Sequence, residues 1–176
     1  MKGANDSTVM TSPEYRRFIE DLKARVISGR ICAARAMNRD MILLYWDIGR
    51  GIVEKQQVLG WGDAVVEMVA ADLRRAFPQM MGFSPRNVWD MRRLYATYTT
   101  SEFLAQAARE IDHGEEGQIL RQAVAEFGGD TKRLQAAAKL TESKVIELLR
   151  QLVAEVPWGQ NLLILNKLSD PVARLY

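Results

Sequence analysis

The sequence predicts an all-α protein, on three observations. Apolar residues recur at spacings of three and four along most of the chain. No run of alternating β-branched residues is long enough for a strand. Ser12-Pro13 and Ser84-Pro85 pair a capping hydroxyl with a proline at the first helical position, where its missing N–H costs nothing. At 176 residues, 48% of them hydrophobic, the chain is large enough to bury a core of its own.

Residues 1–11 are polar and read as a disordered tail. From Ser12 a first helix carries Tyr15, Phe18, Ile19, Leu22 and Val26 and runs to about Met37, with Gly29 admitting a kink. A second, Asp40 to Gln57, has Ile42, Leu43, Tyr45, Trp46, Ile48, Ile52 and Val53 spread too widely for a surface helix, which places it in the core. Gly60-Trp61-Gly62-Asp63 breaks the pattern and opens a third helix on Val65, Val66, Val69, Leu73 and Phe77, ended by Pro78. The fourth starts at Ser84-Pro85, reaches about Tyr98 and puts Val88, Met91, Tyr95 and Tyr98 on one face, expected to lie against the second helix. These elements, 12–100, form a predicted helical core. Residues 101–156 are rich in Ala, Gln and Glu, with the clearest helix from Thr141, as its cap, to Ala154. Pro157-Trp158-Gly159 turns the chain into a short helix from Asn161 to Leu168, and Asp170-Pro171 starts another, so that 157–176 reads as connector helices. Trp46 and Trp61 are expected to be buried, as is the thiol of Cys32 among Ile31, Ala33 and Ala34.

Composition narrows the function. With 24 Lys and Arg against 22 Asp and Glu, the chain is neither a disordered polyelectrolyte nor a supercharged nucleic-acid tail. One cysteine and one histidine, His113, supply no internal disulfide and no Cys/His zinc site, and no Gly-rich phosphate loop follows a strand, so no cofactor is expected. Neither a secretory signal nor an apolar run of spanning length is present, which predicts a cytoplasmic protein with no membrane partner. The positive charge is concentrated early: residues 1–100 hold 15 basic against 11 acidic side chains, and the remainder 9 against 11. Arg16, Arg17, Lys23, Arg25, Arg30, Arg35 and Arg39 supply much of it on the first helix, as a phosphate-tracking surface or an ordinary solvated face.

Residues 63–98 have a helix-turn-helix-like outline. The polar face of the second of these helices shows Arg86, Asp90, Arg93 and Thr97 at spacings of four, three and four, with Arg92 on its flank and Asn87 in its first turn. Arginine and asparagine so placed are the side chains that read guanine and adenine edges in a major groove, while Arg74 and Arg75 would hold phosphates. The connector from Ala76 to Ser84 is longer than a standard turn, and two amphipathic helices with arginines outside also describe an ordinary bundle. Asp21-Leu22-Lys23, Asp130-Thr131-Lys132 and Glu142-Ser143-Lys144 spell the D/E-x-K pattern of metal nucleases, but none follows a strand, and helical residues two apart do not converge on one ion. No catalytic or metal-ligating residue is assigned.

Four separated motifs nevertheless occur in a recognisable order: Tyr45-Trp46-Asp47-Ile48-Gly49, Gly60-Trp61-Gly62, Gly82-Phe83-Ser84 with Asn87, Met91 and Tyr95, and Pro157-Trp158-Gly159 with Asn161. Together they resemble the amino-terminal domain of the YhcG-like family of bacterial proteins, from about Tyr15 to Tyr176. The resemblance implies a helical module serving a carboxy-terminal PD-(D/E)XK nuclease domain, whose catalytic Asp, Glu and Lys have no counterparts here. Two functions stay open: a DNA-binding module using Arg74, Arg75, Arg86, Asn87, Arg92 and Arg93, and a dimerisation or protein-interaction module without direct DNA contact. The implied partners are DNA, the nuclease domain and a second copy of the chain.

Overall fold

The computed structural model describes residues 12–112 and 131–168, and among these it shows helices and no strand. In chain order they are α1 (Pro13–Leu59), α2 (Ala64–Ala76), α3 (Pro85–Tyr98), α4 (Ser101–Asp112), α5 (Thr131–Glu155) and α6 (Trp158–Lys167). The all-α class expected from periodicity is what the chain adopts. The predicted tail, His113, Asp130 and the helix start at Asp170-Pro171 lie outside the described residues.

The chain divides into two units, Met1–Asn38 and Arg39–Tyr176. In the first, α1 begins at the expected cap, where the Tyr15 N–H donates to Ser12 Oγ at 3.1 Å. Residues 21–37 are exposed throughout, and Cys32 is among them, so its expected burial does not hold. Among the described residues of the unit, no other element covers this stretch of helix.

The second unit contains the core. The first two predicted helices are one: α1 continues unbroken through Gly29 and Asn38-Arg39-Asp40, where no proline or turn residue interrupts the ladder. Its carboxy-terminal half buries Ile42, Tyr45, Trp46, Gly49 and Ile52, as the width of its apolar band required. One apolar cluster joins Tyr45 and Ile52 to Val66 and Ala70 of α2, Phe83 of the connector, and Val88 and Met91 of α3. A second joins Ile42 and Trp46 to Leu94 and Tyr98 of α3, with Phe103 and Leu104 of α4, Val145, Leu149 and Val153 of α5, and Leu165 of α6. Helix α3 therefore belongs to both clusters and packs on α2, α4 and α6 as well as on α1. Aromatic edges fix the joints: Trp46 meets Tyr95 with centroids 5.3 Å apart, and Tyr98 meets Phe103 at 4.9 Å.

The closest approach is between backbones. A Cβ at Gly49 would lie 2.7 Å from the Met91 carbonyl carbon and 3.2 Å from Arg92 N, with the Met91 carbonyl oxygen nearer still. Only the absent side chain lets α1 and α3 cross there. On its outer side α1 is held to α5: Arg150 forks onto Asp47, Nη2 to Oδ2 at 2.8 Å and Nε to Oδ1 at 3.2 Å. Arg39 reaches Gln151 and, at 3.3 Å, Glu155.

Three further expectations need correction. Trp61 is 46% exposed, because its glycine neighbours, Gly60 at a φ of +65°, carry it around a surface turn between α1 and α2. Thr141 lies inside α5, whose helix begins ten residues earlier than its supposed cap. Helix α6 starts at Trp158 with Pro157 as its N-cap, ahead of the expected Asn161.

The glycines of α1 separate by measurement. Gly49→Ala is expected to lower the free energy of unfolding by about 3 kcal/mol, since a backbone carbonyl cannot step aside. Gly29→Ala and Gly51→Ala, whose added methyls meet nothing within 4 Å, should each raise it by about 0.5–1 kcal/mol in urea unfolding.

Candidate functional site

The residues with the most specific environment meet where α1, the 77–84 connector, α3 and α6 come together. Helix α2 ends at Ala76, and a turn closed by Met80 N–H to Phe77 O carries the chain to Gly82. That glycine leaves room for Tyr45: a Cβ there would run into the Tyr45 hydroxyl and lie 3.2 Å from its ring carbon, so the ring would have to shift. Ser84 then caps α3, its Oγ accepting from the Asn87 N–H at 3.2 Å with Pro85 in the first turn, as the Ser-Pro signal predicts.

Asn87 is the centre of a polar clasp. Its Nδ2 donates to Gly82 O, and its Oδ1 accepts the indole N–H of Trp158 at 2.7 Å. The Trp158 ring stands edge-on to Tyr45 with centroids 4.9 Å apart. Burial pushes the Tyr45 phenol above its ordinary range, and a hydrogen bond with Asn87 pulls it part of the way back. Three residues on, buried Asn161 donates from Nδ2 to the carbonyls of Val153, at 3.1 Å, and Val156, at 2.7 Å, taking up acceptors that the end of α5 leaves open. Pro157-Trp158-Gly159 with Asn161 is thus a corner that stops α5, starts α6 and bonds both ends of the turn. Three of the four separated motifs, those containing Tyr45, Gly82-Phe83-Ser84 and Pro157-Trp158-Gly159, converge here; the fourth, around Trp61, does not.

Each arginine and the asparagine proposed to read DNA can now be placed. Arg93 spans from α3 to the last turn of α6, Nη2 to Leu165 O at 2.7 Å and Nη1 to Asn166 Oδ1 at 2.6 Å, and so caps that helix. Arg92 donates from Nε to Gln56 Oε1 at 2.6 Å and lies 5.5 Å over the Trp89 ring. Gln56 also donates to Gly62 O at 3.4 Å, which ties the end of α1 to the start of α2. Arg75 pairs with Asp72 at 2.9 Å on the surface of α2, and Arg74 Nε turns back to Ala70 O at 3.4 Å. Arg86 is exposed at the start of α3. Of the face expected to carry Arg86, Asp90, Arg93 and Thr97, the first three share a concavity with Asn87, and that face is not a free ridge. Together with Met41, Met80, Met81, Trp158 and Leu162 it lines a groove of about 820 Å³.

The groove has adaptable thioethers on its apolar side and the mixed charges of Arg86 and Asp90 with it, a lining suited to apolar side chains carried on a polar backbone. Among the described residues, no three His, Cys, Asp or Glu side chains cluster as metal ligands would. Asp21 of the first D/E-x-K string pairs with Arg25 at 2.7 Å and Lys23 with Glu20 at 2.8 Å, so its acid and lysine serve separate surface pairs. Glu142-Ser143-Lys144 is helical within α5, and Asp130 lies outside the described residues. No helix among the described residues is long and apolar enough to cross a membrane. Periodicity missed the tasks of Asn161 and Trp158, although their place beside Pro157 was visible.

In comparison with known proteins, the family model described as the DUF1016 N-terminal domain matches residues 21–128. No curated protein and no solved structure matches.

Two measurements check the clasp. Asn87→Ala strands a part-buried indole N–H and a carbonyl, and is expected to cost roughly 1 kcal/mol of stability in denaturant unfolding followed by Trp fluorescence. The raised pKa of Tyr45 means that the fold favours the neutral phenol. Its contribution is intact below the unfolded tyrosine pKa of about 10 and is lost as pH rises through the higher folded value, so thermal stability should fall above about pH 10, less so in Tyr45→Phe.

Proposed function

Since the chain belongs to the DUF1016 N-terminal domain family, we propose that it is a helical protein-interaction module, attached in function to a nuclease, and that it does not itself read DNA. The observation that carries this reading is the position of α3. A recognition helix must stand out as a ridge to enter a major groove about 12 Å wide. Helix α3 is instead enclosed by α1, α2, α4 and α6, and its polar face lines a concavity. The two groups best suited to base edges are committed inside the fold, Asn87 to Gly82 and Trp158, and Arg93 to the end of α6. The nuclease association comes from the resemblance to the YhcG-like proteins.

A DNA titration at several salt concentrations decides between this and direct reading. Each phosphate contact contributes about one unit to the slope of log affinity on log salt. The chain is expected to bind duplex DNA weakly and without sequence preference, and Arg86→Ala, at a side chain with no hydrogen-bond or ion-pair partner among the described residues, should leave the slope unchanged. A flattening by about one unit in Arg86→Ala, with a relaxed sequence preference, would restore the DNA-reading assignment.

A further inference from the structure

The first unit carries a surface that the core does not use. Over residues 13–38, at 100° per residue, Tyr15, Ile19, Leu22, Val26 and Ala33 lie within a stripe about 60° wide, with Phe18 along its edge. Such a stripe is ordinarily hidden. Here Phe18 is 56% exposed and Val26 60%, and Met37, on the same stripe, is 68% exposed. The spacing of four, three and four is the seam of a two-helix coiled coil, and 26 residues make an arm of about 39 Å.

Beside the seam basic groups outnumber acidic ones, although Lys23 pairs with Glu20 at 2.8 Å and Arg25 with Asp21 at 2.7 Å on the exposed surface. Arg16, Lys23 and Arg30 follow one another at intervals of seven and form a continuous basic border on one side. Arg25 stands on the other border beside Glu14, with Asp21, its ion-pair partner, and Glu20 farther around the helix. A second copy is therefore a poor occupant. In parallel pairing Arg25 would face Arg30 of the other helix, and in antiparallel pairing the row of Arg16, Lys23 and Arg30 would face itself. A helix bordered by carboxylates meets the opposite charge along the whole row.

We propose that the arm of residues 13–38 docks one amphipathic helix of a protein partner, apolar along its seam and acidic along its borders. The inference rests on the interaction-module reading and adds its surface and partner class.

The test uses the full chain and two synthetic three-heptad peptides with the same Ile and Leu seam, one bordered by Glu and one by Lys. The Glu peptide is expected to bind at least tenfold more tightly at low salt, with the preference shrinking as salt rises. Arg16→Glu, Lys23→Glu and Arg30→Glu together should reverse the preference, and Val26→Asp should abolish binding of both peptides, with unchanged helical circular dichroism in each variant. Equal binding of the two peptides would overturn the proposal. So would a dimer of the chain alone that Val26→Asp dissolves, or binding to phosphatidylserine vesicles in place of either peptide. The DNA titration reads a different surface: failure of the peptide preference with no DNA reading removes the arm and keeps the module, whereas a salt slope that depends on Arg86 removes the module reading itself.

Discussion

Two helix backbones in contact, α1 at Gly49 and α3 at Met91, set the terms for the rest of the structure. Because the axes come that close, the side chains on either side of the crossing are sorted into two clusters. Val88 and Met91 fall with Tyr45 and Ile52 toward α2, and Leu94 and Tyr98 fall with Ile42 and Trp46 toward α4 and α5. A larger residue at 49 would part the helices and open both clusters at once. Each is modest, and neither would be expected to hold four or five helices without the other.

Around that crossing, polar groups fix orientation where apolar packing leaves it free. Asn87, Trp158 and Asn161 bind through directed hydrogen bonds, so they hold α6 at one angle to α3 and α5, which a greasy contact of the same area would not do. Arg92 and Gln56 perform the same service between the middle of α3 and the end of α1. The two arginines and the asparagine whose spacing suggests base reading are thus part of what keeps a central helix in place. A polar side chain on one face of an amphipathic helix has the same sequence signature whether water, a phosphate or the next helix lies beyond it.

That ambiguity marks the limit of what was legible. The all-α class, the Ser12 and Ser84 caps, the end of α2 before Pro78 and the burial of Trp46 follow from local rules, because each depends on a few neighbouring residues. The union of the first two helices was misread because Asn38 and Asp40 disfavour a helix only slightly, and continuity on both sides overrides them. Trp61 was misread because a large ring between glycines fits a buried anchor and an exposed turn equally well. The site was half legible: periodicity puts Arg86, Asp90, Arg93 and Thr97 on one face with Asn87 in the first turn, but that α6 lies across this face is decided by contacts more than 70 residues away in the chain.

The corner at Trp158 has a mechanical consequence. Helix α6 is short, and its two ends are fastened to the same neighbour, by Trp158 to Asn87 at the start and by Leu165 and Asn166 to Arg93 at the finish. Tension on the last turn of α6 is met first by the Arg93 guanidinium and delivered to the middle of α3, while Asn161 passes a share to the end of α5. Helix α3 in turn bears on Gly49 of α1. The helix that carries the load inward shares apolar clusters with α1, α2, α4, α5 and α6, so a pull on α6 is passed into the middle of the core.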